Sequence, residues 1–194
     1  MADDVEKAVE EQVIVDVAEG GFKLGFRHIA AATVISVAAI CAPILKAHEG
    51  NSLNSYQDIG GVWTACEGVA HVLPHHTYTP SECGKMNGKA LTEKIYGVSD
   101  QIDVNLPDKT LAAHVDFAYN VGLGAYHTSR ALRETNKGIF LDGCYAMLDF
   151  YRAGGHDCRL DKGKKHGCYG VYQYHIDDMN LCLEGLKENV STQR

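Results

Sequence analysis

Valines at positions 5, 9, 13 and 17 recur at helical spacing among acidic neighbours, and Gly20-Gly21 follow as a stop signal. That pattern predicts a short amphipathic helix over residues 3–19, read here as a solvated acidic tail. Next, from Ile29 to Leu45, seventeen residues pass without a charge. As a helix this run spans about 26 Å, against roughly 30 Å of bilayer hydrocarbon. It is weakly apolar, since Ala, Thr, Ser and Pro43 stand where a firm anchor has Leu and Ile. Lys23 and Arg27 precede it and only Lys46 follows closely, a bias that orients the N-terminus to the cytoplasm. A membrane segment over residues 28–47 is preferred; a buried core helix is the rival. Cleavage as a signal peptide after Ala42 or Ala47 would fall within a few residues of Glu49.

Beyond that run the period changes. Gly60-Gly61 reads as a tight turn between two short strands. Thr79-Pro80-Ser81-Glu82 is a capping box with Pro at the first helical position, so a helix starts there and runs to about Asp103. Gly84 and Gly88 weaken its first turns. Leu111, Val115 and Ala118 form one stripe of a helix from about Asp108 to Asn120, ended by Gly122. Residues 139–150 predict another helix, with Ile139, Phe140, Ala146, Leu148 and Phe150 as core. A last helix covers about 171–186. The chain reads as α+β, mostly helical, with a small β-hairpin lobe and an apolar helix in front. Its organisation is an acidic tail (1–27), an apolar segment (28–47) and one domain (48–194).

At 194 residues the chain suits one full domain. A net charge of −7 argues against general nucleic-acid binding, which wants a basic face. Residues 1–27 carry Asp3, Asp4, Glu6, Glu10, Glu11, Asp16 and Glu19 against Lys7, Lys23 and Arg27. Six of the seven cysteines (Cys66, Cys83, Cys144, Cys158, Cys168 and Cys182) lie beyond Glu49, an even number that permits three disulfides in an exported domain. Buried free thiols are one alternative. Zinc is another, because Cys66, His71, His75, His76 and Cys83 share one window and His156, Cys158, His166 and Cys168 share a second. Neither window has C-x2-C spacing, so no metal site and no cofactor is assigned. Arg152 to His166 is the one basic stretch, an ordinary solvated loop or a contact for peptidoglycan carboxylates or anionic lipid.

The chemistry concentrates between Glu49 and Thr64, where a carboxylate, a second carboxylate at Asp58 and a hydroxyl follow the pattern E-x8-D-x5-T. Glycosidic cleavage needs this set. One carboxylic acid protonates the leaving oxygen while an ionised carboxylate holds the attacking water on the opposite face. Glu49 would be the acid, Asp58 the base and Thr64 a hydrogen-bonding partner of that water.

This segment resembles the catalytic stretch of the phage-type lysozymes. Phe117-Ala118-Tyr119-Asn120-Val121-Gly122, then Thr128-Ser129 and Leu132, is a second match. Tyr151-Arg152-Ala153-Gly154-Gly155, with Gly170-Val171 and Leu181-Cys182-Leu183, is a third. The resemblance implies a monomeric lysozyme-like hydrolase that cuts the β-1,4 bond between N-acetylmuramic acid and N-acetylglucosamine of bacterial peptidoglycan, with inversion, in host lysis. It implies that Asn120, Thr128 and Ser129 meet the sugar, although Asn120 could equally cap its own helix. The apolar run is similar to the signal-anchor-release segments of a subset of these enzymes. That likeness implies a chain held in the host inner membrane through residues 28–47, catalytic domain in the periplasm, and later freed to the periplasm.

Three departures qualify the resemblance. Val69 stands where the family commonly has His, which implies altered local packing. The 27-residue acidic lead is longer than such anchors usually carry. Tyr174-His175 replaces an Arg pair, one member of which lies against the catalytic Glu, so His175 becomes a candidate partner of the acid. Rival readings are a lysozyme-like wall-binding protein with a decayed cleft, and an enzyme that never leaves the membrane. A further expectation is thiol exchange between Cys41 and a body disulfide during release.

Overall fold

A computed structural model describes residues 2–18, 29–50, 52–57, 61–164 and 167–192. The chain divides into two compact units, Met1–Tyr96 and Gly97–Arg194.

In the first unit, α1 (Ala2–Ala18) is a helix, as the valine spacing predicts. The expected solvated tail is corrected, however. Val5, Val9 and Val13 are 2%, 0% and 3% exposed, because α1 packs against α2 (Ala31–Glu49). From α2 come Val34, Val37, Ala38, Cys41, Ala42 and Leu45, a buried stripe at the three- and four-residue spacing of one helix face. Ala31–His48 has a mean hydropathy of 1.6 and is long and apolar enough to cross a membrane, with a third of it buried in the fold.

The same unit holds a three-stranded antiparallel sheet in the order β1 (Ser52–Gln57), β2 (Trp63–Cys66), β3 (Val69–Ala70). Val69 pairs with Ala65 and packs on a small core of Ala65, Cys66, Tyr78 and Cys83. A disulfide joins Cys66 of β2 to Cys83 of α3 (Pro80–Ser99). The start of α3 is the capping box the sequence spells. The Thr79 amide donates to Glu82 Oε2 at 2.8 Å and the Glu82 amide donates back to Thr79 Oγ1 at 3.2 Å.

In the second unit, α4 (Asp108–Val121) packs along α8 (Tyr169–Thr192), which is longer than the 171–186 expected. Between them in sequence lie α5 (Leu123–His127), α6 (Arg130–Asn136) and α7 (Phe140–Tyr145). The helix expected over 139–150 is split, since a 3-10 turn takes over at Ala146–Asp149. Ile139 is corrected too. It is 45% exposed, and Cys144, Ala146 and Met147 supply the buried face instead. Cys144 bonds Cys182 of α8, and Cys158 bonds Cys168 across a loop that follows β4 (Arg152–Ala153) and β5 (His156–Asp157). The cysteines of both proposed zinc windows are therefore spent on disulfides. Cys41 is buried in α2.

Candidate active site

Glu49 closes α2, and Gly50 follows at φ 68°, a conformation that side-chain-bearing residues rarely adopt. A turn there sends the chain straight into β1. The Glu49 side chain and the whole of Asp58 lie outside the described residues. Thr64 is described. It sits in β2 directly opposite Tyr56 of β1, and directly opposed residues of an antiparallel pair project to one face. Thr64 is 5% exposed, and its hydroxyl donates to the Val62 carbonyl at 3.2 Å. With its proton spent there, the oxygen is left as an acceptor.

Tyr56 is 41% exposed, and strand alternation sets it on the same side of β1 as Ser52 and Asn54.

In the second unit, the residues expected to meet sugar are tied to local backbone. Asn120 Nδ2 donates to the Asp116 carbonyl at 3.3 Å, one turn back in α4. Thr128 Oγ1 donates to the Ala125 carbonyl at 3.3 Å. Ser129 is the N-cap of α6, accepting from the Leu132 amide at 3.1 Å, and is buried. Asn120 and Thr128 keep open positions for a ligand, whereas Ser129 is engaged mainly as a cap.

His175 is sealed between α4 and α8. Its ring stands edge-on to Phe117 at 5.2 Å, and Nδ1 lies 3.4 Å from Asp178 Oδ2. Burial pushes its pKa down to about 4, partly opposed by the Asp116 charge, so the imidazole is neutral near pH 7. Burial likewise pushes Asp178 up to about 7.

The basic stretch is largely self-satisfied. Arg159 pairs with Asp157 at 2.6 Å and lies 3.8 Å over the Tyr151 ring, while Lys164 pairs with Asp161 at 2.7 Å. That is the behaviour of an ordinary solvated loop. A cavity of about 740 Å³ in the second unit, lined by Leu106, Ile139, Phe140, Leu183 and Leu186, offers apolar surface and no acid–base pair.

The mostly helical body and the hairpin bearing Thr64 define a lysozyme-like protein. The phage lysozyme family matches residues 46–163, and the chain belongs to that family of glycoside hydrolases. It is 33% identical over 156 residues to the SAR-endolysin of Escherichia phage N15, covering 77% of this chain and 88% of that one. To the SAR-endolysin of Escherichia phage 933W it is 29% identical over 175 residues, covering 84% and 97%. Among solved structures, the active form of the P1 phage endolysin Lyz superposes with a TM-score of 0.61 at 19% identity, over 90% of this chain and 94% of that one. This last likeness concerns the fold alone.

Proposed function

We propose that the protein is a muramidase that hydrolyses the β-1,4 bond between N-acetylmuramic acid and N-acetylglucosamine, with inversion. Glu49 protonates the leaving oxygen and Asp58 accepts a proton from the attacking water. The observation that carries the reading is the state of Thr64. Its hydroxyl donates to Val62 and so presents only an acceptor. A water that donates one hydrogen to Thr64 and the other to Asp58 keeps a lone pair for the anomeric carbon. Inversion requires the two carboxyl groups about 6.5 to 9.5 Å apart, with room for that water.

Asn120 and Thr128 are proposed sugar contacts, and Ser129 supports them as the cap of α6. His175 stands in one position of the family's Arg pair. Being neutral, it supplies no fixed positive charge; since such a charge lowers a carboxyl pKa, its loss is compatible with the raised pKa a general acid needs. The domain division proposed is the acidic lead, the apolar segment 28–47 and a catalytic domain from residue 48. The site of action proposed is the periplasm, after a stage in the host inner membrane through 28–47.

The test is turbidity loss of permeabilised Gram-negative cells by the parent chain and by Glu49→Gln. The variant should clear at least ~100-fold more slowly, the scale of general acid catalysis. Equal clearing overturns the enzyme reading. Neutral His175 in place of an Arg favours one rival, a wall-binding protein with a decayed cleft. Wall binding without release of reducing ends would establish it.

A further inference from the structure

The acidic helix α1 is seated in a notch of the body. A Cβ at Gly88 of α3 would come 2.6 Å from Ala8 Cβ and 3.2 Å from the Val5 carbonyl oxygen, and one at Gly84 would come 3.1 Å from Asp4 Cβ. Only glycine lets the two helices approach this closely. α1 also packs on α2, and Val5, Val9 and Val13 are buried.

An apolar helix that leaves a bilayer must find another cover for its apolar face. Here the valine stripe of α1 is part of that cover. The contact also constrains topology. When α2 spans the membrane, its two ends are separated by about 30 Å of hydrocarbon, and Lys23 and Arg27 hold the residues before it on the cytoplasmic side. α1 would then lie on the opposite side from α3. The spanning state and the docked state exclude each other.

We infer that α1 is an intramolecular clasp. On release it follows α2 across the bilayer, seats on Gly84 and Gly88 of α3, and covers α2 so that α2 does not return to lipid. The inference rests on the membrane-release reading given above. Once across, the buried valines hold the helix in place.

The experiment uses the full chain carrying Cys41→Ser and Ile14→Cys, position 14 being 67% exposed on α1. A membrane-impermeant maleimide is applied from the periplasmic side before and after dissipating the membrane potential, with fractionation in parallel. Before dissipation the chain should sediment with membranes and position 14 should stay unlabelled. Afterwards it should be soluble and labelled. Val9→Asp and Gly88→Leu, which attack opposite partners of the contact, should each raise the membrane-retained fraction after dissipation several-fold. Labelling of the membrane-bound chain before dissipation overturns the clasp, as does soluble, active protein unlabelled at position 14. Release of both variants at the parental level also overturns it. A chain that never sediments with membranes removes the membrane-release reading itself, and the clasp with it.

Discussion

His175 and Asp178, one turn apart on α8, face each other at 3.4 Å with 1% of either residue exposed. Asp116 of α4 places a negative charge near His175 of the pair. Burial disfavours the charged form of each, so the aspartic acid keeps its proton up to about pH 7 and the histidine stays neutral down to about pH 4. In the unfolded chain at pH 5 the pair carries its one proton on the histidine; in the fold it carries it on the acid.

The two linkages therefore oppose each other. Asp178 has a raised pKa, so its contribution is full below about pH 4 and falls away as pH rises to about 7. His175 has a lowered pKa, so its contribution is full above about pH 6.5 and falls away as pH drops to about 4. Between pH 4.5 and 6.5 the parent pair should add almost no slope to unfolding free energy. Asp178→Asn should unmask the histidine, with stability rising with pH by up to ~1.4 kcal/mol per unit. His175→Gln should give the opposite sign. Denaturant titrations at four pH values read both slopes; like signs in the two variants would sink the account.

Thr64→Val keeps the branched shape in β2 and removes the oxygen. Packing should survive, because the residue is 5% exposed and its hydroxyl donates to a carbonyl two residues away. The Val62 carbonyl loses one donor, a cost of about 1–3 kcal/mol in stability if no water replaces it. Turnover on soluble peptidoglycan fragments should fall ~10-fold or more, from the loss of one hydrogen bond to the attacking water. The KM should change little. A variant with a raised KM and unchanged kcat would mean that Thr64 binds sugar rather than water.

Gly185 lies where α8 crosses the start of α4. A Cβ there would come 2.6 Å from the Thr110 amide nitrogen and 2.9 Å from Lys109 Cβ. Backbone cannot swing aside as a side-chain tip can, so Gly185→Ala should force the helices apart. We expect a loss of about 1–3 kcal/mol, typical of overpacking, although alanine is the better helix former. Thermal unfolding of the variant beside the parent measures it, and a raised midpoint would show that the crossing has slack.

Much of this architecture can be read from residue order because the signals are local. Thr79 and Glu82 name the start of α3 through bonds made within one turn. Gly60-Gly61, as a turn signal in the sequence, announces the hairpin whose paired strands β1 and β2 set Thr64 opposite Tyr56. What escaped depends on partners distant in sequence. Val5, Val9 and Val13 show an apolar face but not what covers it, and the cover includes Gly84 and Gly88, which read in isolation as weak points of α3. Ile139 looks like core by hydrophobicity, yet the turn at Gly138 leaves it outside. The site was legible as a set of residue types at fixed spacing. The neutral state of His175 was not, since it follows from Phe117 and Asp178 closing around the ring.

The pairing of cysteines was likewise open in the sequence and yields the last prediction. Cys144–Cys182 ties α7 to α8 across 38 residues, and both cysteines are fully buried. By chain entropy alone, closing a loop of that length stabilises the fold by about 4 kcal/mol. The Cys158–Cys168 loop spans 10 residues and should contribute less, about 2–3 kcal/mol on the same basis. Reduction removes these two constraints and Cys66–Cys83 with them, whereas the paired substitutions Cys144→Ala with Cys182→Ala, and Cys158→Ala with Cys168→Ala, remove one each. Ala is chosen because Cys144, Cys182 and Cys158 are all buried, so that no hydroxyl is left unsatisfied. The first double variant should be the less stable in denaturant titration, by at least ~1 kcal/mol. If the short loop proves the costlier to lose, then its exposed, charge-paired turn depends on the disulfide for native contacts and not only for a restricted unfolded chain.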